Sequence, residues 1–321
     1  MTHTAITVSG TGPGAAAALL RLGRMGVRGV ALDPGDGPDY DDELPHLLSG
    51  HGAGVLRRLG VWEEVAAQAH CLRRVRLHGP RGSAIEAPLG GLWVLPPRWL
   101  ESVLLRAAHE AGIVEARATS ALTVLDAPCV PDFRAGTVVV QRYAGLACDQ
   151  DALVLALVDG AVCWVAPQGG GQAVVGAVVT ADDARSAVLA FERLVCGSLA
   201  QRLGDAAAVG TLAVCGIPRP VTSRPGTLPI RPADPVPSLV GDCGVDLTLE
   251  TGLLAGDHAA RVVLGGLDPA AAADAYGRKA RWLALPTDGV RWASVRLLRS
   301  HLARAAVSLA SLRGLRRLGS R

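Results

Sequence analysis

The sequence has few aromatic residues and almost no lysine. Only 3% of its 321 residues are aromatic, and Lys279 is the single lysine among 32 basic residues. Half of the chain is hydrophobic and 19% is charged, which excludes intrinsic disorder as a description of the whole chain. The core must therefore consist mainly of small aliphatic side chains, and any mechanism that needs a lysine must use Lys279.

Several other features are missing. The seven cysteines are widely spaced and no C-x-x-C pair occurs, which argues against a metal site of the zinc-ribbon type and against a redox dithiol. No run of 18 uninterrupted apolar residues predicts an integral membrane segment. No basic region precedes the first apolar run, so no signal peptide is predicted. We therefore expect a cytoplasmic protein.

Acidic residues are absent from the C-terminal segment. Eight arginines and no acid lie between residues 290 and 321, and the total charge of +3 leaves residues 1–289 at −5. An acidic body argues against a nucleic-acid partner. Apolar residues at helical spacing predict a basic amphipathic helix over 286–321. This helix could dock on its own domain, on a membrane surface, or on an acidic partner such as a carrier protein.

The first 33 residues carry the most informative pattern. An apolar strand over 5–9 leads into the turn Gly-Thr-Gly-Pro-Gly-Ala at 10–15, and an alanine- and leucine-rich helix follows over 16–25. A second strand over 29–32 ends at Asp33. This is a βαβ unit with a G-x-G-x-x-A turn, which is typical of dinucleotide-binding proteins.

Each residue of this turn has a physical role in such a site. Gly10 permits the tight turn, Gly12 lets the backbone approach a pyrophosphate, and Ala15 is small enough for the helix to pack on the strand. The helix N-terminus presents N–H groups to the anion. Asp33 is placed to bind a ribose hydroxyl, which favours NAD or FAD over NADP. The alternative is an ordinary glycine-rich turn without a ligand.

Three later segments favour FAD. The first, 56–65, ends a helix with Leu-Gly and is followed by Trp-Glu-Glu-Val. The second, 95–112, is an amphipathic helix that begins near Arg98 and ends at a glycine. The third begins with a strand at Ser238 and continues into a turn that contains Gly241 and Asp242. We expect a helix over 253–264 after this turn.

Together these segments resemble the FAD-dependent oxidoreductases of the p-hydroxybenzoate hydroxylase superfamily, which includes aromatic hydroxylases, geranylgeranyl reductases and flavin-dependent halogenases. The resemblance runs from Thr4 to about Trp282 in the family's order. It implies an α/β fold in which a Rossmann-like FAD-binding domain carries an inserted, mainly antiparallel β substrate domain and a C-terminal helical tail. The implied boundaries are 1–71, 98–135 and 238–285 for FAD binding, 72–97 and 136–237 for the substrate domain, and 286–321 for the tail.

The same resemblance implies the residues that contact the cofactor. They are Gly10, Gly12, Pro13, Gly14, Ala15, Asp33, Arg98, Asp126, Gly241, Asp242 and Gly252. The stretch Trp164-Val-Ala-Pro167 is similar to a W-x-x-P strand of halogenase-like and reductase-like members, and Glu43-Leu-Pro45 is similar to their G-E-x-L-P loop. His46, Trp164 and Pro167 are therefore candidate substrate contacts. The alternatives are a solvated or capping role for His46 and a packing role for Trp164.

The sequence also departs from the family pattern. Asp126 is not followed by the family's glycine, so we expect electrons to come from a separate flavin reductase. The segment 243–252 lacks a proline and is shorter than the corresponding turn, and Glu250 adds a negative charge that would oppose a reduced flavin unless it points away. Halogenases of the superfamily use a lysine in the N-terminal half, which is absent here, so halogenation is not expected.

The sequence therefore predicts an FAD-dependent oxidoreductase of the monooxygenase or dehydrogenase type. Its substrate would be a secondary metabolite or a peptide-derived molecule, and the flavin would supply the chemistry. The alternative is a protein of the same fold that has lost redox function and acts as a redox-neutral catalyst, similar to a cyclase or isomerase, or as a binding partner. A nicotinamide-dependent dehydrogenase is a third hypothesis, which the segments similar to the flavin family weaken.

Overall fold

The structure of the protein is a computed structural model. It describes residues 5–33, 45–78, 84–96, 98–115, 120–126, 131–158, 161–179, 181, 183–196, 199, 203–218, 226–231 and 244–299. Within these ranges, no helix is both long and apolar enough to cross a membrane.

The chain alternates between two sheets and the helices that cover them. The strands are β1 (Ala5–Ser9), β2 (Gly29–Asp33), β3 (His46–Ser49), β4 (His70–His78), β5 (Ala84–Leu95), β6 (Val114–Glu115), β7 (Ser120–Asp126), β8 (Pro131–Ala144), β9 (Ala152–Val158), β10 (Ala161–Gly169), β11 (Gln172–Val179), β12 (Ala207–Pro218) and β13 (Thr227–Ile230). The helices are α1 (Pro13–Arg24), α2 (Gly50–Arg58), α3 (Trp62–Ala66), α4 (Trp99–Glu110), α5 (Ala184–Cys196), α6 (Gly244–Gly265) and α7 (Pro269–Arg299).

The smaller sheet has five parallel strands in the order β13-β7-β1-β2-β6. From β1 the chain proceeds to β2 on one side, and β7 lies on the other side, so the topology switches direction at β1. In open parallel sheets of this kind, ligands bind at the carboxyl ends of the strands beside such a switch. Ile6 and Val8 point into the core under α1, with at most 1% of their surfaces exposed.

Three helices cover one face of this sheet, and they run in the same direction. Gly252 of α6 lies against Gly14 of α1, and four residues later Gly256 lies against Ala18. Gly23, near the end of α1, contacts Ala111 at the end of α4. Because α1 and α4 each have 12 residues and pack side by side, their N-termini lie at the same end, which is the carboxyl edge of the sheet.

The larger sheet has eight strands in the order β12-β8-β11-β10-β9-β4-β5-β3. Every pairing is antiparallel except that between β4 and β9. The sheet curls, so that β10 contacts β5 although β9 and β4 separate them. One face packs against α5 through Phe191 and Leu194, and the other forms an apolar cluster around Trp164.

The predicted fold class is confirmed: a Rossmann-like parallel sheet is combined with a mixed, mostly antiparallel sheet and C-terminal helices. One prediction is wrong in its position. The helix expected over 253–264 begins nine residues earlier, at Gly244, so the residues expected to form a turn form the first turns of α6. Without a proline, and with a carboxylate in its first turn at Asp246, this segment favours a helix.

The last described helix, α7, begins at Pro269 and continues without a break to Arg299. Tyr276 anchors it, because its ring is fully buried and its hydroxyl donates a hydrogen bond to the carbonyl of Pro229 in β13. The segment predicted as a separate tail, 286–321, therefore starts inside α7, and its last 22 residues lie outside the described part of the chain.

Candidate functional site at the carboxyl edge of the parallel sheet

The glycine turn between β1 and α1 has the geometry that the sequence pattern predicts. Gly10 has φ of +108°, which side chains disfavour, and its N–H donates to the carbonyl of Asp33 at 2.8 Å. Gly12 is the N-cap of α1 and Pro13 its first residue. The N–H groups of the first turn have no acceptor within the helix and point to the carboxyl edge, as an anion site requires.

Asp33 lies at the end of β2, beside this turn. Its side chain is exposed and accepts a hydrogen bond from the Ser9 hydroxyl at 3.1 Å. Ser9 itself is buried at the end of β1, and it is paired with Asp33 in the parallel ladder. The carboxylate is therefore held at the switch point, and it is placed to accept hydrogen bonds from the hydroxyls of a bound ribose.

Gly14 and Gly252, both predicted cofactor contacts, lie where two helices pack. A Cβ on Gly252 would be 2.3 Å from the carbonyl oxygen of Gly14, and a Cβ on Gly14 would be 2.4 Å from the Ile230 side chain. Ala15, 1% exposed, is also packed inside. The close contact between α1 and α6 explains the two glycines without a ligand.

The N-terminal part of α6 projects beyond α1. Gly252 is level with Gly14, so residues 244–250 extend past Pro13 by about 10 Å at 1.5 Å per residue. Asp246 in this projection is fully buried and accepts the N–H of Ser49 at 3.1 Å. A Cβ on Gly52 would lie 2.0 Å from its carboxylate. The N-terminus of α2 therefore surrounds a buried carboxylate on α6.

Glu250, the last residue of this projection, does not face the site as an isolated charge. Its carboxylate forms an ion pair with Arg58 and lies 3.5 Å from His51, both on α2. Burial raises the pKa of Glu250, but the hydrogen bond with His51 and the charge of Arg58 outweigh burial and lower it overall. Glu250 thus remains ionised and is neutralised by α2.

Arg98 is the N-cap of α4 and lies at the same edge as the glycine turn. Its φ of +57° places it in the left-handed region, and no other described non-glycine residue has a positive φ. This conformation costs about 1–2 kcal/mol relative to an ordinary backbone. Strain of this kind is concentrated at functional sites, which supports the predicted role of Arg98 as a cofactor contact.

His46 begins β3 and is paired with a residue that the sequence did not single out. Its Nε2 lies 2.6 Å from Glu101 Oε1, and only 15% and 17% of the two side chains are exposed. Burial lowers the pKa of His46, but the charge and hydrogen bond of Glu101 outweigh it and raise the pKa overall. Burial raises the pKa of Glu101, but His46 lowers it overall. Each group therefore stabilises the charged form of the other.

Trp164 and Pro167 lie on β10 as predicted, followed by the expected glycine hairpin and β11. Trp164 is 1% exposed, and its ring lies so close to Gly176 that a Cβ there would be 2.0 Å away. Pro167 is buried opposite Ala173. Both residues have apolar surroundings, which supports the packing role over a substrate contact.

The remaining predicted residues are distributed as follows. Gly241 and Asp242 lie outside the described residues. Asp126 ends β7 beside Ile230, at the carboxyl edge. Lys279 lies on α7 near His258, where its charge adds to the burial that lowers the pKa of that histidine. His258 is six residues beyond Gly252 in α6, and Lys279 lies one turn after Tyr276, whose ring contacts that of His258.

Sequence reasoning missed Ser9, Glu101 and Asp246. Glu101 is the third residue of α4, where acidic residues favour a helix start, and Ser49 is a typical N-cap. These signals predict local helix starts. They do not predict that Glu101 pairs with His46, or that Ser49 binds Asp246, in each case from a distant part of the chain.

Comparison with known proteins identifies the fold. No protein-family model matches the sequence, and no curated protein matches it significantly. Solved structures match over almost the whole chain. The p-nitrophenol 4-monooxygenase of Pseudomonas putida DLL-E4 has a TM-score of 0.70 at 14% identity and covers 95% of this chain and 93% of its own.

A geranylgeranyl bacteriochlorophyll reductase-like protein of Thermoplasma acidophilum has a TM-score of 0.68 at 13% identity, with 98% of both chains covered. A flavin-dependent brominase has a TM-score of 0.67 at 15% identity, with 94% of this chain and 93% of its own covered. Likeness at this identity shows the fold and not the substrate. The chain therefore has the fold that these three proteins share.

Proposed function

We propose that the protein is an FAD-dependent oxidoreductase that binds the AMP half of FAD at the carboxyl edge of its parallel sheet. The observation that carries this proposal is the turn itself. Gly10 adopts a conformation that favours glycine, α1 begins directly after Gly12, and Asp33 is held by Ser9 beside them. A pyrophosphate would accept N–H groups from the start of α1, and Asp33 would bind a ribose.

The residues at the edge fit the adenosine and pyrophosphate parts of the cofactor. Arg98, held at the start of α4, adds a positive charge on the same side. Once bound, the flavin would supply hydride transfer or oxygen activation, while the chain would bind, orient and exclude water. A flavin is favoured over a nicotinamide because flavin-dependent enzymes match nearly the whole chain.

The finer assignments remain predictions. We propose a small-molecule or peptide-derived substrate, modification by a monooxygenase or dehydrogenase reaction, and electrons from a separate flavin reductase. The domain boundaries and an acidic carrier protein at the C-terminal helix are further proposals. A cytoplasmic location is supported by the four described cysteines, Cys71, Cys148, Cys163 and Cys196, none of which is in a disulfide.

A second function is favoured by the early start of α6. If Asp242 keeps the role that the resemblance implies, only Cys243 separates it from the helix, and the projecting turns occupy the position where the family has a loop beside the flavin. Such a site could still bind the AMP half of FAD although the protein has lost its redox function. The protein would then be a redox-neutral catalyst or a binding protein.

One experiment separates these functions. The full chain is purified, its visible spectrum is recorded, and the affinities for FAD and ADP are measured by calorimetry. Gly12→Asp places a carboxylate at the pyrophosphate position and should abolish binding. Gly90→Asp is the matched control, because Gly90 is exposed on β5 with open space around it.

FAD bound more tightly than ADP, with a flavin spectrum that Gly12→Asp abolishes and Gly90→Asp retains, would support the oxidoreductase. ADP bound as tightly as FAD would favour the redox-neutral function, because the isoalloxazine ring would then contribute nothing. If wild-type protein binds neither nucleotide, both functions are refuted.

A further inference from the structure

The stability of the fold does not by itself explain the ion pair between His46 and Glu101. Removing two charged side chains from water costs several kcal/mol per ion, and an apolar pair of similar volume is often as stable. Here the two groups are 2.6 Å apart and about five-sixths buried, and each shifts the pKa of the other towards the charged form. Buried groups with shifted pKa values are concentrated at functional sites.

Glu101 has one oxygen that the pair does not use. Its Oε2 is buried and has no hydrogen-bond partner among the described residues. Native proteins satisfy nearly all of their buried acceptors. Because Oε1 holds His46 and Oε2 is still available, the carboxylate can accept one more hydrogen bond from a donor such as a bound hydroxyl, an amine or a water molecule.

The pair also lies where a ligand would meet both sheets. Glu101 is in the first turn of α4, whose N-terminus shares the carboxyl edge with the glycine turn. His46 is the first residue of β3, the edge strand of the large sheet. The strained Arg98 is close enough to lower the pKa of Glu101, after the larger contributions of burial and His46. These positions put a proton donor beside the predicted cofactor site.

We propose that His46 and Glu101 form a proton-transfer pair for a substrate whose reacting atom is a hydroxyl oxygen or an amine nitrogen. Glu101 is the positioning residue: it holds one ring nitrogen and leaves the other to exchange a proton with the substrate, and solvent then restores the proton. The proposal rests on the proposed function in one respect, which is that the ligand binds at the carboxyl edge of the parallel sheet. It holds for a redox and for a redox-neutral reaction.

Other charged groups near this strand set the background for its titration. Among the described residues, they include Arg98 from α4 and Asp246 from α6, the second of which binds the N–H of Ser49 at the other end of β3. Asp246 is retained in every variant below. A change on substitution of Glu101 can therefore be assigned to the pair.

The test follows the imidazole signal of His46 by NMR in the full chain labelled with ¹³C-histidine, with assignment by its loss in His46→Asn. The pH titration is recorded for wild type, Glu101→Gln and Glu101→Asp, each alone, with FAD, and with ADP. His258 on α6 is the internal control, because its shifted pKa arises from burial and from Lys279.

We expect Glu101→Gln to lower the pKa of His46 and Glu101→Asp to restore part of the shift, while His258 titrates as before. Ligand binding should shift the His46 titration in wild type, and this shift should be lost in Glu101→Gln. A purely structural ion pair would depend on Glu101, but a shift caused only by the charge of the ligand would persist in Glu101→Gln.

If FAD binds and the titration of His46 does not change, the inference is refuted and the proposed function stands. If FAD does not bind but ADP binds and shifts His46, the oxidoreductase assignment is refuted and the inference stands. If neither nucleotide changes His46, the inference is refuted.

Discussion

The contact between α1 and α6 gives a prediction with a clear magnitude. In Gly252→Ala, the new Cβ would lie 2.3 Å from the carbonyl oxygen of Gly14, whereas real contacts of this kind are longer than 3.0 Å. The helices must separate by about 1 Å, and overpacking of this size costs about 1–3 kcal/mol. Alanine returns up to about 1 kcal/mol through helix propensity. We expect the free energy of unfolding to fall by about 1 kcal/mol.

The matched control is Gly54→Ala. Gly54 is also inside a helix, α2, but nothing lies within 4 Å of the position of its Cβ. This substitution should raise the free energy of unfolding by about 0.5–1 kcal/mol. Urea unfolding at pH 7 measures both changes. If Gly252→Ala is as stable as Gly54→Ala, the helices are not as close as the structure has them, and the packing explanation for Gly252 is refuted.

Three further predictions concern the edge. Arg98→Gly should raise the free energy of unfolding by about 1 kcal/mol, because glycine relieves the strain of the left-handed backbone, and it should also weaken FAD binding. An unchanged free energy of unfolding would contradict the strain at this position. Asp33→Ala should weaken FAD binding by about 2 kcal/mol, roughly thirty-fold by calorimetry, and a change below threefold would exclude Asp33 as the ribose ligand. Glu101→Gln should lower the free energy of unfolding by about 2 kcal/mol near pH 5.5. The raised pKa of His46 contributes stability below about pH 6.5, and this contribution is lost as pH rises through the pKa of His46 in the folded protein. The lowered pKa of Glu101 contributes stability above about pH 4.5, and this contribution is lost as pH falls through the pKa of Glu101 in the folded protein. If Glu101→Gln lowered the free energy of unfolding equally at pH 5.5 and at pH 9, the ion pair would be contradicted.

The features that could be predicted from the sequence are those with local causes. The turn at Gly10 requires a positive φ, and the spacing to Asp33 follows from one helix and one short strand. Trp164 and Pro167 are in a strand for the same reason, since apolar residues and a glycine hairpin define β10 and β11 within 20 residues. These patterns specify backbone conformation directly.

The features that could not be predicted depend on residues far apart in the chain. His46 and Glu101 are 55 residues apart, and Ser49 and Asp246 are 197 residues apart. Neither pair has a spacing rule. The start of α6 was misplaced for a related reason, because resemblance to the family put a loop where this chain has Asp246 stabilised by the N-terminus of α2.

The early start of α6 also changes the expected electrostatics of the site. The sequence alone predicts that Glu250 would oppose a reduced flavin unless it points away. In the structure the carboxylates of Asp246 and Glu250 are both turned to α2, where Ser49 binds the first and Arg58 neutralises the second. At the edge, the N-terminus of α1 and Arg98 favour an anion, while the exposed Asp33 carboxylate is placed for the hydroxyls of a ribose. If the flavin ring lies beside α6, as the resemblance implies, the lengthened helix would limit the space for the ring but would not repel its charge, so ring binding and phosphate binding should be lost independently in variants of this site.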